Sequence, residues 1–272
     1  MNKIAVISDI HGNLEALKAV IKDIKNESCD MVICLGDIIA KGYHLHECID
    51  LVKEISDVVI QGNCDYFFSN FTKADNSKND ARLQYNISRT TLEDREYLKS
   101  LPYSYDLLIS GNIVRFYHAT PTKIDGFVGD MENLDTYYNM FLPSTKTSSD
   151  IADVVLYGHI HKAFVKKLYN RTLINVGSVG NNFEVYRDCK RNASNAKTTK
   201  ACYVILKGEL NSKEEGPLSY EFREIPYDVD KELESSKEAF EYDGLVSELK
   251  YGKYRDYLEI KKNLSDHGII VE

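Results

Sequence analysis

Five short stretches of the chain carry side chains that bind cations. They are Asp9-Ile10-His11, Gly36-Asp37, Gly62-Asn63-Cys64-Asp65, Phe116-Tyr117-His118 and Gly158-His159-Ile160-His161. Seven histidines occur in the 272 residues, and four of them (His11, His118, His159 and His161) lie here. Imidazole and carboxylate suit borderline divalent metals such as manganese, iron and zinc, and a set without thiolate is not that of a structural zinc site. A carboxylate has two oxygens and can bridge two cations. Two metals about 3.5–4 Å apart can share one water, lower its pKa and clamp the attacking and leaving oxygens of a phosphoryl group. Neighbouring glycines let backbone approach such a cluster without a clashing Cβ. Singly, each residue has a plainer role. Asp9 or Asp37 can cap a helix, Asn63 can hold a turn, His118 can be a core histidine, and His159 and His161 a surface pair. Independent caps and core histidines have no reason to fall at five strand ends on one rim, so the set reads as one site.

The elements around these stretches explain how they would meet. Ile4–Ser8, Met31–Leu35 and Val58–Ile60 are short apolar runs, expected as buried strands. Leu14, Leu17, Ile21 and Ile24, then Leu45, Ile49 and Val52, recur at helical spacing. Strand–helix–strand–helix–strand predicts parallel strands, whose following loops gather at one edge where ligands bind. Residues 79–98 read as helical. Tyr105–Ile109, Ile113–His118, Val154–Tyr157, Ala163–Leu168, Thr172–Val176, Ala201–Leu206 and Tyr220–Ile225 are closely spaced runs separated by turn residues, expected to form a mostly antiparallel sheet. Two mixed β-sheets flanked by helices predict an α/β fold, a four-layer α/β/β/α sandwich. The chain is read as one domain over residues 1–272, with a charged helical extension from about residue 229. Pro143–Asp150 reads as a polar loop. Arg187–Lys200 carries five basic residues against one acidic, expected as a solvated loop or, more sharply, as a basic lid over an anionic substrate.

Composition narrows the classes. Apolar residues are 43% and charged residues 28%, which suits a globular core. A net charge of −8 is a poor match to duplex nucleic acid, which needs Lys and Arg to displace counterions. Small anions remain possible, because a bound metal inverts the local potential. Only four apolar residues, Ile4–Ile7, precede Ser8-Asp9, too few for a secretory or membrane segment. Cys29, Cys34, Cys48 and Cys202 lie in or beside apolar segments, Cys64 and Cys189 complete the six, and there is no C-x-x-C pair. Reduced thiols in a cytoplasmic protein are expected. The 19 tyrosines could stack on a nucleobase, though most read as amphipathic surface or core residues.

The order D-x-H, G-D, G-N-x-D, H, G-H-x-H resembles the calcineurin-like metallophosphoesterase superfamily. Gly36–Tyr43 with Glu47-Cys48-Ile49, the turn Ile174–Gly180, and Tyr227-Asp228-Val229 with the helices beyond resemble its bacterial and archaeal phosphodiesterase-like branch. The resemblance implies two divalent metal ions, manganese first, with iron, zinc, nickel or magnesium as alternatives. One would be held by Asp9, His11, Asp37 and His161. The other would be held by Asp37, Asn63, His118 and His159, with Asp37 bridging. It also implies hydrolysis of a phosphate ester by a metal-bridging hydroxide, with Asn63 and His118 at the reacting centre. Many members carry His after the motif Asn, held by the following Asp, to protonate the leaving group. Here Cys64 stands in that place and Asp65 is retained. A thiol is a weaker proton donor, so diesters, dinucleotides or aryl esters are expected over alkyl monoesters. His44 and His46 could supply the missing acid, and Lys41 could stabilise charge on the phosphate. A small phosphate ester or nucleotide is the expected partner. The alternatives are a phosphomonoesterase or protein phosphatase, and a non-catalytic metal-binding scaffold of the kind the same fold provides in the retromer coat.

Overall fold

The computed structural model describes residues 1–71, 81–182 and 199–252. Two five-stranded sheets face each other. The first contains β1 (Asn2–Ile7), β2 (Met31–Cys34), β3 (Val58–Val59), β9 (Ala201–Gly208) and β10 (Ser219–Ile225), in the order β10-β9-β1-β2-β3. The second contains β4 (Ser104–Ile109), β5 (Asn112–Tyr117), β6 (Val154–Tyr157), β7 (Phe164–Leu168) and β8 (Arg171–Asn175), in the order β4-β5-β6-β8-β7. Period-two alternation sends each strand's apolar residues to two different cores. From β1, Ile4 and Val6 enter the layer between the sheets, while Ala5 and Ile7 face helices. From β5 and β6, Val114, Phe116, Val154 and Leu156 enter the same inter-sheet layer. Tyr117, Val155 and Tyr157 face outward, against Tyr137 and Phe141 in and after α6 (Leu134–Asn139). Helices α1 (Leu14–Asn26) and α2 (Leu45–Ile55) cover the first sheet through Leu17, Val20, Ile49 and Val52. The layering is the expected α/β/β/α sandwich.

Three details differ from the sequence reading. The later strands are not one antiparallel sheet. β9 and β10 return to the first sheet, where β9 pairs antiparallel with the free edge of β1. In the second sheet β5, β6 and β8 run parallel. The long stretch between β5 and β6 is the reason, since a connection of a dozen or more residues permits a parallel crossover that a tight turn does not. The helix expected over 79–98 is two helices, α4 (Ala81–Ser88) and α5 (Leu92–Ser100). Thr91 ends the first reading, because its hydroxyl accepts from Asp94 N–H (3.1 Å) and Asp94 Oδ2 accepts from Thr91 N–H (2.8 Å), a capping box that starts a new helix. Helix α3 (Asn63–Asn70) was not foreseen. Its eight residues are too short for a periodic apolar stripe, and its first residue belongs to the site.

Helices α7 (Val229–Ser235) and α8 (Tyr242–Tyr251) bury Val229, Leu233, Leu245 and Leu249 against each other, Tyr43 and Tyr227. Cys34, Cys48 and Cys202 are buried free thiols. Among the described residues no helix is long and apolar enough to cross a membrane. Cys189 and residues 187–198 of the basic stretch lie outside the described residues.

Candidate metal centre

The loops after β1, β2 and β3 are tied in series. Asp9 N–H donates to Gly36 O (2.9 Å), Ile10 and His11 N–H to Asp37 O (2.9 and 3.0 Å), and Gly12 N–H to Ile38 O (2.9 Å). Asp65, on the first turn of α3, takes the next link. Its carboxylate accepts from Asp37 N–H (2.8 Å), Ile38 N–H (3.1 Å), Ile39 N–H (3.4 Å) and Gly62 N–H (3.0 Å). Across the sheets, His159 N–H donates to Asp9 Oδ2 (2.9 Å), and Val179 and Gly180 N–H donate to Ser8 O and Asp9 O (2.9 and 3.0 Å). These bonds hold unusual backbone. Asp9, His11, Asp37, His159 and His161 all have φ between 52° and 69°, the left-handed region that L-residues adopt at a cost of about 1–2 kcal/mol each. Such conformations persist where surrounding structure over-determines them. Here they turn successive side chains into one buried space.

Seven side chains meet there as two sets. In the first, His11 Nε2 and His161 Nε2 face each other at 3.0 Å, and Asp9 Oδ1 is 3.3 Å from His161 Nε2 and 3.8 Å from His11 Nε2. In the second, Asn63 Oδ1 is 3.0 Å from His118 Nε2 and 2.7 Å from His159 Nδ1. Asp37 addresses both, with Oδ2 3.7 Å from His11 Nε2 and Oδ1 3.5 Å from His118 Nε2. Second partners fix the tautomers. His11 Nδ1–H donates to Ile39 O (3.0 Å), His118 Nδ1–H to Leu35 O (2.9 Å) and His161 Nδ1–H to Asn181 O (2.6 Å). All three Nε2 atoms therefore present lone pairs to the cluster when neutral.

These features test whether the residues fit divalent cations, and they do. Two imidazole lone pairs pointed at each other repel unless a cation lies between them. His11 Nε2 and His161 Nε2 stand 3.0 Å apart, close enough for one divalent cation to be held by both. Asp9 Oδ1 is buried without a hydrogen-bond partner, which a metal bond would resolve. Asp9 and Asp37 are both nearly fully buried, and buried carboxylates call for positive charge nearby. Burial pushes the Asp9 carboxyl up, but His161, His118 and His11 outweigh it and hold it well below its ordinary range. Burial, and then the charge of Lys41, keeps His11 well below its ordinary value. Burial and the charge of His118 bring His159 down to about 4. Burial also works against charge on His118, yet Asp37 and Asp9 outweigh it and raise its pKa. His11 and His159 are thus neutral at pH 7, the form in which imidazole can bind a metal.

Other residues singled out in the sequence stand differently. Half-buried Cys64 borders the cluster, and its sulfur, one Asp37 oxygen and one His11 nitrogen lie within 4.8 Å of one another. Burial and the Asp37 carboxylate push its thiol well above the usual range. The Asp65 carboxylate is committed to four backbone N–H groups, so it holds the loops. Burial and Asp37 push that carboxyl up, to about 7. Lys41 is at the site, with Nζ 3.4 Å from Asn181 Oδ1 and 3.9 Å from Glu248 Oε1. His44 and His46 do not join the cluster as acids. His44 Nε2 bonds Ser235 Oγ (2.9 Å) and His46 Nδ1 bonds Asp94 Oδ2 (2.8 Å), because α2 turns both toward neighbouring helices. Asn13, at the end of the first motif, caps α1 by accepting from Ala16 N–H (3.1 Å). Sequence reasoning missed Asn181 and Ser178. Ser178 Oγ–H donates to Asp9 O (2.7 Å) and accepts from Asn181 N–H (2.8 Å). The polar run after β8 was the available signal.

Gly62 supplies a sharp test of this packing. A Cβ there would strike Asp37 N and Asp37 Oδ1. Gly62→Ala is expected to lower stability by about 1–3 kcal/mol and to weaken metal binding at least about tenfold by displacing Asp37. Thermal melts of metal-free protein and Mn²⁺ titrations would measure both, and wild-type affinity in the variant would show that Asp37 need not stay in place.

Residues 2–193 match the model of the Calcineurin-like phosphoesterase superfamily domain. An uncharacterized protein of Methanocaldococcus jannaschii is 32% identical over 194 residues, 65% of this chain and 76% of that one. Two solved structures share the fold. A metallophosphoesterase from Sphaerobacter thermophilus superposes with a TM-score of 0.67 at 20% identity, over 93% of this chain and 99% of that one. A hypothetical protein from Pyrococcus horikoshii OT3 gives 0.72 at 21%, over 93% and 100%.

Proposed function

Because the chain belongs to the calcineurin-like phosphoesterase superfamily, we propose that it is a dinuclear metal-dependent hydrolase of phosphate esters, with diesters favoured over monoesters. The observation that carries this reading is Asp37, whose two oxygens face two separate ligand sets. Asp9, His11, Asp37 and His161 would hold one divalent ion, and Asp37, Asn63, His118 and His159 the other, with manganese the first choice. When bound, such ions supply Lewis acidity and a nucleophilic water at neutral pH. The chain's own part is to fix this arrangement. Backbone carbonyls orient the imidazoles, the αL ligands cannot relax, and Asp65 locks the loops that carry Asp37 and Asn63. Lys41 adds positive charge beside the first set, where an anionic ester would be drawn.

The preference for diesters rests on Cys64. A group positioned there would donate a proton to the departing oxygen, and a thiol held well above its usual range donates poorly at pH 7. Leaving groups that depart without a proton, such as aryl oxides, are favoured. Turnover of bis-p-nitrophenyl phosphate and of an alkyl phosphomonoester such as glycerol phosphate, with Mn²⁺ restored after chelation, tests this. The diester is expected to react at least about tenfold faster in kcat/KM. A monoester preference would overturn the assignment of substrate class, and absence of metal-dependent turnover on either ester would overturn the hydrolase reading.

A further inference from the structure

We propose that Glu248, on the C-terminal helix α8, is a positioning residue for the ligand His161, acting through Asn181. The inference rests on the metal centre above, but Glu248 itself lies beyond residues 2–193, the part matched by the family model. In sequence it reads as one more charge on a charged helix. In the structure it is fully buried, on the same helix face as Leu245 and Leu249, which are also buried. A carboxylate among leucines is retained only if it is paired.

Its partner is Asn181. Asn181 Nδ2–H donates to Glu248 Oε2 at 2.6 Å. The other end of the same amide, Asn181 Oδ1, accepts from Lys41 Nζ at 3.4 Å, and Lys41 Nζ lies 3.9 Å from Glu248 Oε1. Both ends of the amide are thus held, by groups from the β2–α2 loop and from α8. The main chain of the same residue does the positioning. Asn181 O accepts from His161 Nδ1–H at 2.6 Å, and Asn181 N–H donates to Ser178 Oγ at 2.8 Å. A carbonyl behind a ligating imidazole sets the ring's tautomer and aim. The position of that carbonyl follows from where the Asn181 side chain is pinned. The α7–α8 pair is therefore part of the first ligand set's support, where a capping role alone would require no buried carboxylate.

The test is Mn²⁺ binding to chelator-treated protein, followed by electron paramagnetic resonance, in the full chain. Glu248→Ala is expected to weaken one of two ions by about 10–100-fold, the range for lost outer partners of metal ligands, and to leave the other within about threefold. Glu248→Gln keeps an acceptor for the Asn181 amide and is expected to stay near wild type. Asn181→Asp places two carboxylates together and should weaken the same ion, and the double variant N181D/E248Q, which restores a donor–acceptor pair, should recover it. Leu245→Ala, a packing change on the same helix, should lower Tm without moving either affinity. If Glu248→Ala does not fold, the single and double Asn181 variants still decide. Wild-type affinity in folded Glu248→Ala, or no recovery in the double variant, would overturn the inference. A wild type that binds two ions but turns over no ester leaves it standing and overturns the hydrolase reading. A wild type that binds no ion overturns both.

Discussion

Asp37→Asn is expected to fold normally and to lose about 10³-fold or more of its turnover, together with bound metal. The two Asp37 oxygens address the two sets separately, at 3.7 Å from His11 Nε2 and 3.5 Å from His118 Nε2. An amide of the same shape presents an N–H where one set needs an oxygen. The Lewis-acid contribution of a bound metal is several kcal/mol, and at 1.36 kcal/mol per decade about 4 kcal/mol corresponds to about 10³-fold. The fold should survive, because the loop is held by Asp37's backbone. Its N–H donates to Asp65, and its carbonyl accepts from Ile10 and His11. His159→Ala offers the contrast, since the His159 side chain meets Asn63 of the second set while its contact with Asp9 is made by the backbone N–H, which alanine keeps, so the variant should leave the other ion in place. Metal analysis, circular dichroism and steady-state kinetics on the same preparations would settle the point. Undiminished turnover in Asp37→Asn would contradict the two-set geometry.

Cys64→His should produce the second large effect, a gain. The position lies on the first turn of α3, between the ligand Asn63 and the loop-holding Asp65, beside the space where a leaving group would depart. An imidazole titrates near neutrality and can give up a proton there, whereas the native thiol is held well above its usual range by burial and by Asp37. A positioned general acid contributes about 10²–10⁴-fold. The lower end is expected, because the Asp65 carboxylate is already taken by four backbone N–H groups and cannot also anchor a new ring. The kcat/KM for an alkyl phosphomonoester should rise about 10²-fold, while bis-p-nitrophenyl phosphate, whose leaving group needs no proton, should change little. Equal changes on both esters would place the effect in binding or metal loading, and no gain would remove Cys64 from the explanation of substrate preference.

Much of the architecture was legible because its signals are local. The runs Ile4–Ser8, Met31–Leu35 and Val154–Tyr157 are short, largely apolar and bounded by polar turns, and each holds a strand. Of Leu14, Leu17, Ile21 and Ile24, read at helical spacing, Leu17 and Ile24 are buried in α1 and Leu14 and Ile21 are partly buried beside them. The partnering of β9 with β1 was not legible, because pairing across nearly the whole chain depends on which edge is left free, and no local pattern encodes that. The same division holds at the site. Asp9, His11, Asp37, Asn63, His118, His159 and His161 could be named because each sits beside a strand end and, His118 apart, near a glycine or a second candidate ligand. Which nitrogen each histidine presents could not, since His159 uses Nδ1 toward Asn63 while His11, His118 and His161 use Nε2. Asp65 was legible in sequence only as the Asp retained after Cys64, and in three dimensions it is a backbone clamp. Glu248 looked like surface charge and is buried. Both roles were illegible for one reason, since a carboxylate's role depends on which donors surround it, and apart from Gly62 N–H those donors come from residues 26 to 67 positions away.

The measurement that bears most directly on the metal centre is the number of Mn²⁺ ions bound per chain after chelation and readdition, followed together with ester turnover. Two ions per chain, with turnover lost on chelation and restored as the ions return, is the expected result. A protein that retains no divalent ion, or whose turnover is indifferent to chelation, would contradict the assignment of these seven residues as a dinuclear centre.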